Sequence, residues 1–214
     1  ALALSQGSLS PSFASGTLAY TASVAHSVSS LIVTPTTNDA NATATVNGAS
    51  PATPVTLSVG SNTVTVQVTA QDGTTQSYTV AVTRAAASSD ATLSALALSS
   101  SSLSPSFASG TLAYTASVVH SVNSLIVTPT TNDANATATV NGASAATPVN
   151  LAVGSNTVTV QVTAQDGTTT QSYTVTVTRA AALTVALTGP SGTVTGPFTV
   201  TATLSSPVVS FVAS

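Results

Sequence analysis

Residues 64–82 decide the fold class, and they read Val64-Thr65-Val66-Gln67-Val68-Thr69-Ala70-Gln71-Asp72-Gly73-Thr74-Thr75-Gln76-Ser77-Tyr78-Thr79-Val80-Ala81-Val82. On both sides of the Asp-Gly pair, apolar side chains alternate with polar ones, which is the period of half-buried strands. Asp-Gly favours the positive backbone angles of a tight turn. The stretch therefore predicts a hairpin of two strands that turns at Asp72-Gly73.

This hairpin lies within a long internal repeat. Residues 1–70 recur as residues 95–164 with seven substitutions, and the second copy has one extra Thr in the hairpin loop, so Tyr78 corresponds to Tyr173. Solenoid units run to about 50 residues, whereas independent domains start near that length. We expect each copy to fold alone, with domains at 1–86, where the first strand is partly missing, and 87–181, and a partial domain at 182–214.

The rest of the repeat carries further strand and turn signals. Strands are predicted around Leu2–Leu4, Tyr20–Val24, Leu31–Val33, Thr43–Val46 and Val55–Leu57. Turns are predicted at Asn47-Gly48 and Gly60-Ser61-Asn62; Pro35 should end its strand, and Leu9–Phe13 should form an irregular edge because proline cannot donate in a ladder. About seven short strands without helical periodicity predict an all-β fold, an antiparallel β-sandwich in each copy.

Charged residues are scarce, and this excludes several classes of function. They make up 3% of the chain, with Arg84 and Arg179 as the only basic residues and a net charge of −3, against about 25% charged residues in ordinary domains. Binding to nucleic acid needs several Lys or Arg contacts to phosphate, and so we expect none. No run reaches the 18 apolar residues of a membrane span, so we expect no membrane insertion in this segment.

Seven motifs in a fixed order resemble the cadherin-like β-sandwich domain of bacterial surface proteins. In the first copy they are Leu9–Phe13, Tyr20, Val33–Thr36, Ala44–Gly48, Leu57–Asn62, Val68–Gly73 and Tyr78–Arg84. In the second they are Leu103–Phe107, Tyr114, Val127–Thr130, Ala138–Gly142, Leu151–Asn156, Val162–Gly167 and Tyr173–Arg179. The resemblance implies tandem Ig-like or cadherin-like sandwiches that are extracellular, at the cell surface or secreted.

The tail resembles the opening strands of a bacterial Ig-like repeat. Residues 204–208 read Leu204-Ser205-Ser206-Pro207-Val208, where those domains commonly have Phe-Ser-Glu-Pro-Val. Ser206 therefore replaces the acidic residue of that motif, and we expect no role that needs a carboxylate there. An Ig-like sandwich needs about 100 residues, so we expect only its first strands here.

The residues that could bear chemistry are few. Each copy has one histidine, His26 or His120, without Cys or Glu, so neither a zinc cluster nor a catalytic triad can be assembled within a domain. The Asx-rich loops that resemble calcium sites are Asn38, Asp39 and Asn41 in the first copy and Asn132, Asp133 and Asn135 in the second. Calcium needs six to eight oxygen ligands and usually several carboxylates, whereas each loop has one carboxylate and the linker adds only Asp90. We expect Asx turns, turn-forming roles for Asp72 and Asp166, and no cofactor or metal.

Two other features have a structural and a functional interpretation. Asn41-Ala42-Thr43 and Asn135-Ala136-Thr137 fit the N-glycosylation spacing, although such triplets occur often by chance in an Asn- and Thr-rich chain. Arg84 and Arg179 end the last strand of each copy. We expect solvated strand ends there, with an inter-domain contact to Asp90 or to a backbone carbonyl as the alternative.

These observations favour a structural segment of a long extracellular bacterial protein that forms a stalk, fibre or filament. The alternative is an adhesin repeat that binds a host protein or glycan, and we expect no enzymatic activity. Expected partners are neighbouring domains of the same chain or other copies in a fibre. The incomplete first copy and tail leave two interpretations: the sequence is a piece of a longer chain, or a neighbouring chain supplies a missing strand.

Overall fold

The computed structural model describes residues 1–188, 196 and 201–204. The chain divides into two compact units, Ala1–Ala87 and Ser88–Ser214, each considered by itself below. Among the described residues, every regular element is a β-strand. The predicted all-β class is confirmed.

The first unit contains eight strands, two of them long. They are β1 (Leu2–Leu4), β2 (Ala19–Val24), β3 (Ser30–Leu31), β4 (Val33–Pro35), β5 (Thr43–Val46), β6 (Val55–Thr56), β7 (Gly60–Thr69) and β8 (Thr75–Arg84). A four-stranded sheet has the order β2-β8-β7-β5, and two strand pairs, β1-β4 and β3-β6, provide the other layer. One buried cluster joins Leu2, Leu31 and Val33 of the pairs to Val64, Val66 and Val80 of the sheet. The core therefore lies between two layers, as in a sandwich.

The predicted hairpin is confirmed. Strands β7 and β8 pair from Gly60↔Arg84 to Thr69↔Thr75. The Asp72 carboxylate accepts bonds from the backbone N–H (2.9 Å) and the hydroxyl (2.7 Å) of Thr74, and Gly73 has φ +86°. Local turn chemistry therefore sets the register of the two longest strands of the unit.

The second predicted turn of the repeat is also confirmed, at Asn47-Gly48. Both residues have positive φ, +49° and +76°, and Val46 and Ala49 exchange two backbone bonds of 2.9 Å. Two successive positive φ values are those of a type I′ hairpin turn. The Asn47 side chain adds a bond, because its Oδ1 accepts the N–H of Thr65 at 2.8 Å.

The turn predicted at Gly60-Ser61-Asn62 is wrong, since these residues begin β7. The Asn62 amide accepts the N–H of Ser58 and donates to its carbonyl, both at 2.8 Å. This side chain closes the preceding loop, so the backbone of Asn62 is free to pair with Val82 in the sheet. A turn-forming residue type therefore lies within a strand and acts through its side chain.

Strand direction departs from the expected antiparallel pattern at one place in each unit. Strand β2 pairs with β8 in parallel, from Ala19↔Thr79 to Val24↔Arg84. The equivalent pair of the second unit, from Ala113↔Thr174 to Val118↔Arg179, is also parallel. The remaining strand pairs in the described residues are antiparallel. The segment predicted as one strand at Leu31–Val33 is split at Ile32, because Leu31 pairs with β6 and Val33 with β1.

The second unit repeats this arrangement. Its strands are β9 (Leu93–Leu98), β10 (Ala113–Val118), β11 (Ser124–Leu125), β12 (Val127–Thr131), β13 (Thr137–Val140), β14 (Ala143–Ser144), β15 (Val149–Asn150), β16 (Gly154–Thr163) and β17 (Thr170–Arg179). Strand β10 pairs with β17 in parallel. Pro35 ends β4 as predicted, but β12 continues beyond the equivalent Pro129 to Thr131, because its partner β9 is longer than β1.

The tail contributes two further strands, β18 (Val185–Thr188) and β19 (Thr201–Leu204). They pair antiparallel from Val185↔Leu204 to Thr188↔Thr201. Residues 205–208 of the predicted Ig-like motif lie outside the described residues. The Ig-like assignment of the tail stays a prediction.

Candidate functional site

The segment Ser88–Leu93 extends the first strand of the second unit and covers one end of its core. Ala91 is 5% exposed and Leu93 is fully buried. The backbone N–H of Leu93 donates to the hydroxyl of Tyr173 at 3.0 Å in a buried position. The segment therefore completes the core of the second unit.

Polar contacts fix the same segment at its other end. The N–H of Ser88 donates to the side-chain oxygen of Gln165 at 2.9 Å, and the Ser88 carbonyl accepts the N–H of Asp166 at 3.0 Å. The Asp90 carboxylate accepts bonds from Asn132 Nδ2 (2.7 Å) and from both donors of Thr92. Ser88–Leu93 is thus held by the hairpin β16–β17 and by the loop after β12.

These bonds lower the pKa values of two aspartates in the second unit. The hydroxyl of Thr92, the Asn132 amide and the Thr92 N–H hold the pKa of Asp90 below its ordinary value. The pKa of Asp133 is lowered by the Ser88 hydroxyl and by the backbone and side chain of Asn135, and this lowering is partly offset by desolvation and by repulsion from Asp90. Both carboxylates are therefore engaged as hydrogen-bond acceptors.

The first unit has a cavity of about 290 Å³ at the corresponding end of its core. Its apolar lining includes Leu2, Phe13, Val66, Val68 and Tyr78. In the second unit, the counterparts Val160, Val162 and Tyr173 belong to the same buried cluster as Ala91 and Leu93.

Equivalent residues around this cavity are more exposed than their counterparts in the second unit. Tyr78 and Val68 are only partly buried, whereas Tyr173 and Val162 are fully buried. The hydroxyl of Tyr78 donates to the carbonyl of Ser15 at 3.3 Å, an exposed bond. Identical residue types therefore have two environments in one chain.

Sequence reasoning did not find this site. The available signal was the pair of apolar residues Ala91 and Leu93, two positions apart, directly before the second copy. The alternation does not continue to Ala95, because Thr130 pairs with Ala95 whereas Thr131 pairs with Leu93, and the register shifts between them. Tyr173 and Tyr78 were interpreted only as strand residues. Their contact with a preceding segment is a tertiary feature.

The two histidines lie in turns directly after β2 and β10. In each copy Nδ1 lies 3.3 Å from a backbone carbonyl, that of Ala85 for His26 and that of Ala180 for His120. The sequence analysis expects a strand-end or loop histidine, and these positions agree with that description. Within the described residues, no three side chains of His, Asp, Glu or Cys are grouped as metal ligands would be.

The Asx-rich loops form Asx turns. The Asp39 carboxylate accepts the backbone N–H of Asn41 at 2.9 Å and its side-chain amide at 3.3 Å. Asp133 and Asn135 make the same bonds at 2.8 and 3.1 Å. In both candidate glycosylation triplets, the asparagine amide nitrogen is therefore already a donor to a neighbouring carboxylate.

The arginines are not solvated strand ends, so that prediction is wrong. The guanidinium of Arg84 donates to the carbonyl of His26 through Nε (3.0 Å) and Nη2 (2.7 Å), and to that of Leu57 through Nη1 (2.9 Å). Arg179 makes the same three bonds, to His120 and Leu151. A planar group with several fixed donors can satisfy two carbonyls at once, so each arginine ties three segments of its own unit together.

Comparison with known proteins agrees with this architecture. A family model described as the cadherin-like beta sandwich domain matches residues 1–85 and 93–180. A relative named "Putative membrane protein", from Evansella cellulosilytica, is 35% identical over 88 residues, which are 39% of this chain and 13% of that protein. The chain thus spans only a small part of the relative that it matches.

Two solved structures show weaker similarity. One is a cis-dimer structure of protocadherin gammaB7 EC3–6, with 14% identity, a TM-score of 0.29 and coverage of 79% of this chain and 48% of the other. The other contains fibronectin(III)-like modules of Clostridium thermocellum CbhA, with 12% identity, a TM-score of 0.24 and coverage of 84% and 95%. Because both TM-scores are below 0.5, the fold assignment depends on the family match and on the sheets themselves. The described part of the chain contains no helix with the length and apolar character to cross a membrane.

Proposed function

Because the chain belongs to the family of cadherin-like β-sandwich domains through both of its repeats, we propose that it is a structural segment of a long extracellular or cell-surface protein. In this proposal, tandem sandwiches set the length of a stalk, fibre or filament. The partners are neighbouring domains of the same chain or other copies in the fibre. The membrane-protein name of the Evansella relative supports a location at the cell surface.

Repetition is the observation that carries this proposal. The two copies differ at seven of seventy aligned positions, although sites for a specific ligand usually depend on particular side chains. Near-identical neighbours are expected where the number of domains matters more than the surface of each. The structural function therefore explains a feature that a single binding site does not require.

The short junction between the repeats supports the same proposal. Strand β8 ends at Arg84, and the N–H of Ala85 donates to the carbonyl of Val24 at 3.0 Å. Ser88 is bonded within the second unit. Only Ala86 and Ala87 separate these two anchored points, and we expect such a short connection to restrict bending.

Two other functions are less well supported. Sugar-binding sites commonly present exposed aromatic rings, whereas the six Phe and Tyr side chains in the described residues are buried or partly buried. We therefore do not favour the adhesin alternative. We also propose that this segment is not an enzyme, since each repeat has one histidine and no Cys, Glu or Lys.

Small-angle scattering of the 214-residue chain tests the structural function. We expect an elongated distance distribution with a maximum dimension near that of two sandwiches end to end. A chain carrying a third copy of residues 95–181 should lengthen by a further domain. A compact distribution that hardly lengthens with the added copy would overturn the proposal.

A further inference from the structure

We propose that the second unit bears tension along the chain, because the strands through which the chain enters and leaves it are held lengthwise and resist sliding. The entry strand is β9 and the exit strand is β17. This inference rests on the proposed structural function and deepens it, since a stalk or fibre is loaded through the ends of its domains.

The chain enters and leaves the second unit at opposite ends of the β16–β17 hairpin. At the entry, Ser88 bonds to Gln165 (2.9 Å) and Asp166 (3.0 Å), and both of these residues lie in the turn of the hairpin. At the exit, Arg179 pairs with Gly154 at the other end of the hairpin. The ten residues of β17 span roughly 33 Å. Tension between entry and exit therefore acts along the strands.

The exit strand is held on both of its edges. Strand β17 lies between β10 and β16 and pairs with β16 over ten residues and with β10 over six. Two more backbone bonds flank the parallel ladder, from Thr174 to the carbonyl of Leu112 (2.8 Å) and from Ala180 to that of Val118 (2.9 Å). Because bonds between strands run across the strand axis, a pull along β17 loads the bonds of both ladders together. They must then break together and not one after another, which slows unfolding under force.

The entry strand is held in the same sense. Strand β9 pairs with β12 over five residues, and tension on Ser88 slides β9 along this partner. The same movement draws the fully buried Leu93 out of the core. The N–H of Leu93 also donates to the hydroxyl of Tyr173 at 3.0 Å. Since Tyr173 belongs to β17, this bond joins the entry strand directly to the exit strand.

A side chain reinforces the exit. Arg179 is the last residue of β17, and its guanidinium donates three bonds to the carbonyls of His120 and Leu151, which follow β10 and β15. The exit is therefore tied to two further segments of the unit. The first unit has the same arrangement around its exit strand, since β8 pairs with β7 over ten residues and with β2 over six, and Arg84 makes the equivalent bonds.

The test compares two directions of pulling on the same fold. The sequence has no Cys, so a pair of introduced cysteines defines where force acts on the 214-residue chain. Ala86→Cys with Ala181→Cys pulls the second unit from entry to exit. Val153→Cys with Ala181→Cys pulls apart the adjacent ends of β16 and β17, so that their residue pairs are loaded one after another. All three side chains are exposed.

The lifetime of the second unit is measured at constant force with optical tweezers. We expect the entry-to-exit pair to give a lifetime longer by about tenfold or more, since unfolding under force is governed by the unfolding rate. Urea unfolding without force should give both double variants the same stability, so that the difference reports the direction of pulling. Equal lifetimes, or a longer lifetime for the hairpin direction, would overturn the proposal. If Val153→Cys fails to fold, the exposed Ser155→Cys gives the same direction with a smaller change of side chain.

The contribution of the arginine is measured with the entry-to-exit cysteines in place. Arg179→Met should shorten the lifetime under force by about tenfold or more, because it removes three bonds from the residue that takes the load. Val119→Ala, at an exposed side chain of the same unit, should leave the lifetime unchanged. An unchanged lifetime for Arg179→Met would overturn the role of the arginine in the exit.

The lifetime under force and the particle shape are independent measurements. A chain that is elongated in scattering but has equal lifetimes in both directions would keep the proposed structural function and lose the tension-bearing role. A chain that resists force in the entry-to-exit direction but is compact in scattering would do the reverse.

Discussion

The two repeats share almost all of their residues, but two equivalent tyrosines in them have different surroundings. Tyr173 is fully buried beneath Ser88–Leu93, whereas its equivalent Tyr78 borders an open cavity. Both positions are tyrosines, and the residues that line the cavity in the first unit have identical counterparts in the second. The comparison teaches that the burial of Tyr173 depends on contacts with Ser88–Leu93 as well as on the repeat itself.

The largest expected effect comes from breaking the cover of the second unit. Leu93→Ala removes a fully buried side chain, and such changes cost about 2–5 kcal/mol of the free energy of unfolding. Denaturant unfolding with hydrogen exchange resolved by repeat should show this loss in the second unit alone. Val119→Ala, at a side chain that is 64% exposed, should change stability by less than about 0.5 kcal/mol. An equal loss in both units would contradict the role of Leu93.

We expect the two arginines to stabilise their own repeats by similar amounts. Arg84→Met and Arg179→Met each remove three bonds to carbonyls, and we expect each to cost its own unit about 2–3 kcal/mol. Arg→Lys should recover only part of the loss. The ammonium group keeps a charge and hydrogen-bond donors, but it lacks the planar fork that reaches two carbonyls at once. Exposed Thr83 provides the control Thr83→Ala, measured by urea unfolding. A much smaller loss for either arginine would show that its bonds contribute little.

A matched pair of tyrosine variants measures the buried bond of the second unit. Tyr173→Phe leaves the buried N–H of Leu93 without its acceptor, which should cost about 1–3 kcal/mol. Tyr78→Phe removes only an exposed bond of 3.3 Å, and its cost should be less than about 0.5 kcal/mol. Thermal unfolding of the two variants gives the difference directly. Similar costs at both positions would mean that Leu93 does not depend on this hydroxyl.

The smallest expected difference is in the response to acid. In the second unit the pKa values of Asp90, Asp133 and Asp166 are lowered, the last to about 2 by the Thr169 hydroxyl and the N–H groups of Thr169 and Thr168. In the first unit the pKa of Asp72 is lowered, mainly by Thr74. A lowered folded-state pKa stabilises above the unfolded value, near 3.9, and that stabilisation is lost as the pH falls through the folded value.

Acidification from about pH 5 to pH 2 should therefore destabilise the second unit more than the first. Denaturant unfolding across this range, with hydrogen exchange assigned to each repeat, measures the difference. Asp166→Asn should make the second unit less sensitive to pH, whereas Val119→Ala should leave its pH dependence unchanged. If the first unit loses more stability than the second, these hydrogen bonds do not control the acid response.

Much of the fold was predictable because its causes are local. The alternation at Val64–Val68, the turn at Asp72-Gly73 and the type I′ turn at Asn47-Gly48 each depend on a few adjacent residues. The split at Ile32 and the parallel pairing of β2 with β8 were not predictable in this way. Strand direction and sheet membership depend on residues distant in sequence, as for Ala19 beside Thr79.

The candidate site was less predictable than the fold. The Asx turns at Asp39 and Asp133 follow from side chains that bond two residues ahead. The arginine contacts were missed because their acceptors, such as His26 and Leu57, lie 58 and 27 positions away from Arg84. The carbonyls of a backbone carry no sequence signal, so only the folded chain identifies them.

By itself, the sequence determined that this protein is a series of similar β-sandwiches, since period-two alternation and Asx-Gly turns act over a few residues and recur in both copies. Tertiary structure alone decided that Ser88–Leu93 covers the core of the second copy. Leu93 and Tyr173 are 80 positions apart, and burial is a property of the atoms that surround a side chain, not of its own residue type.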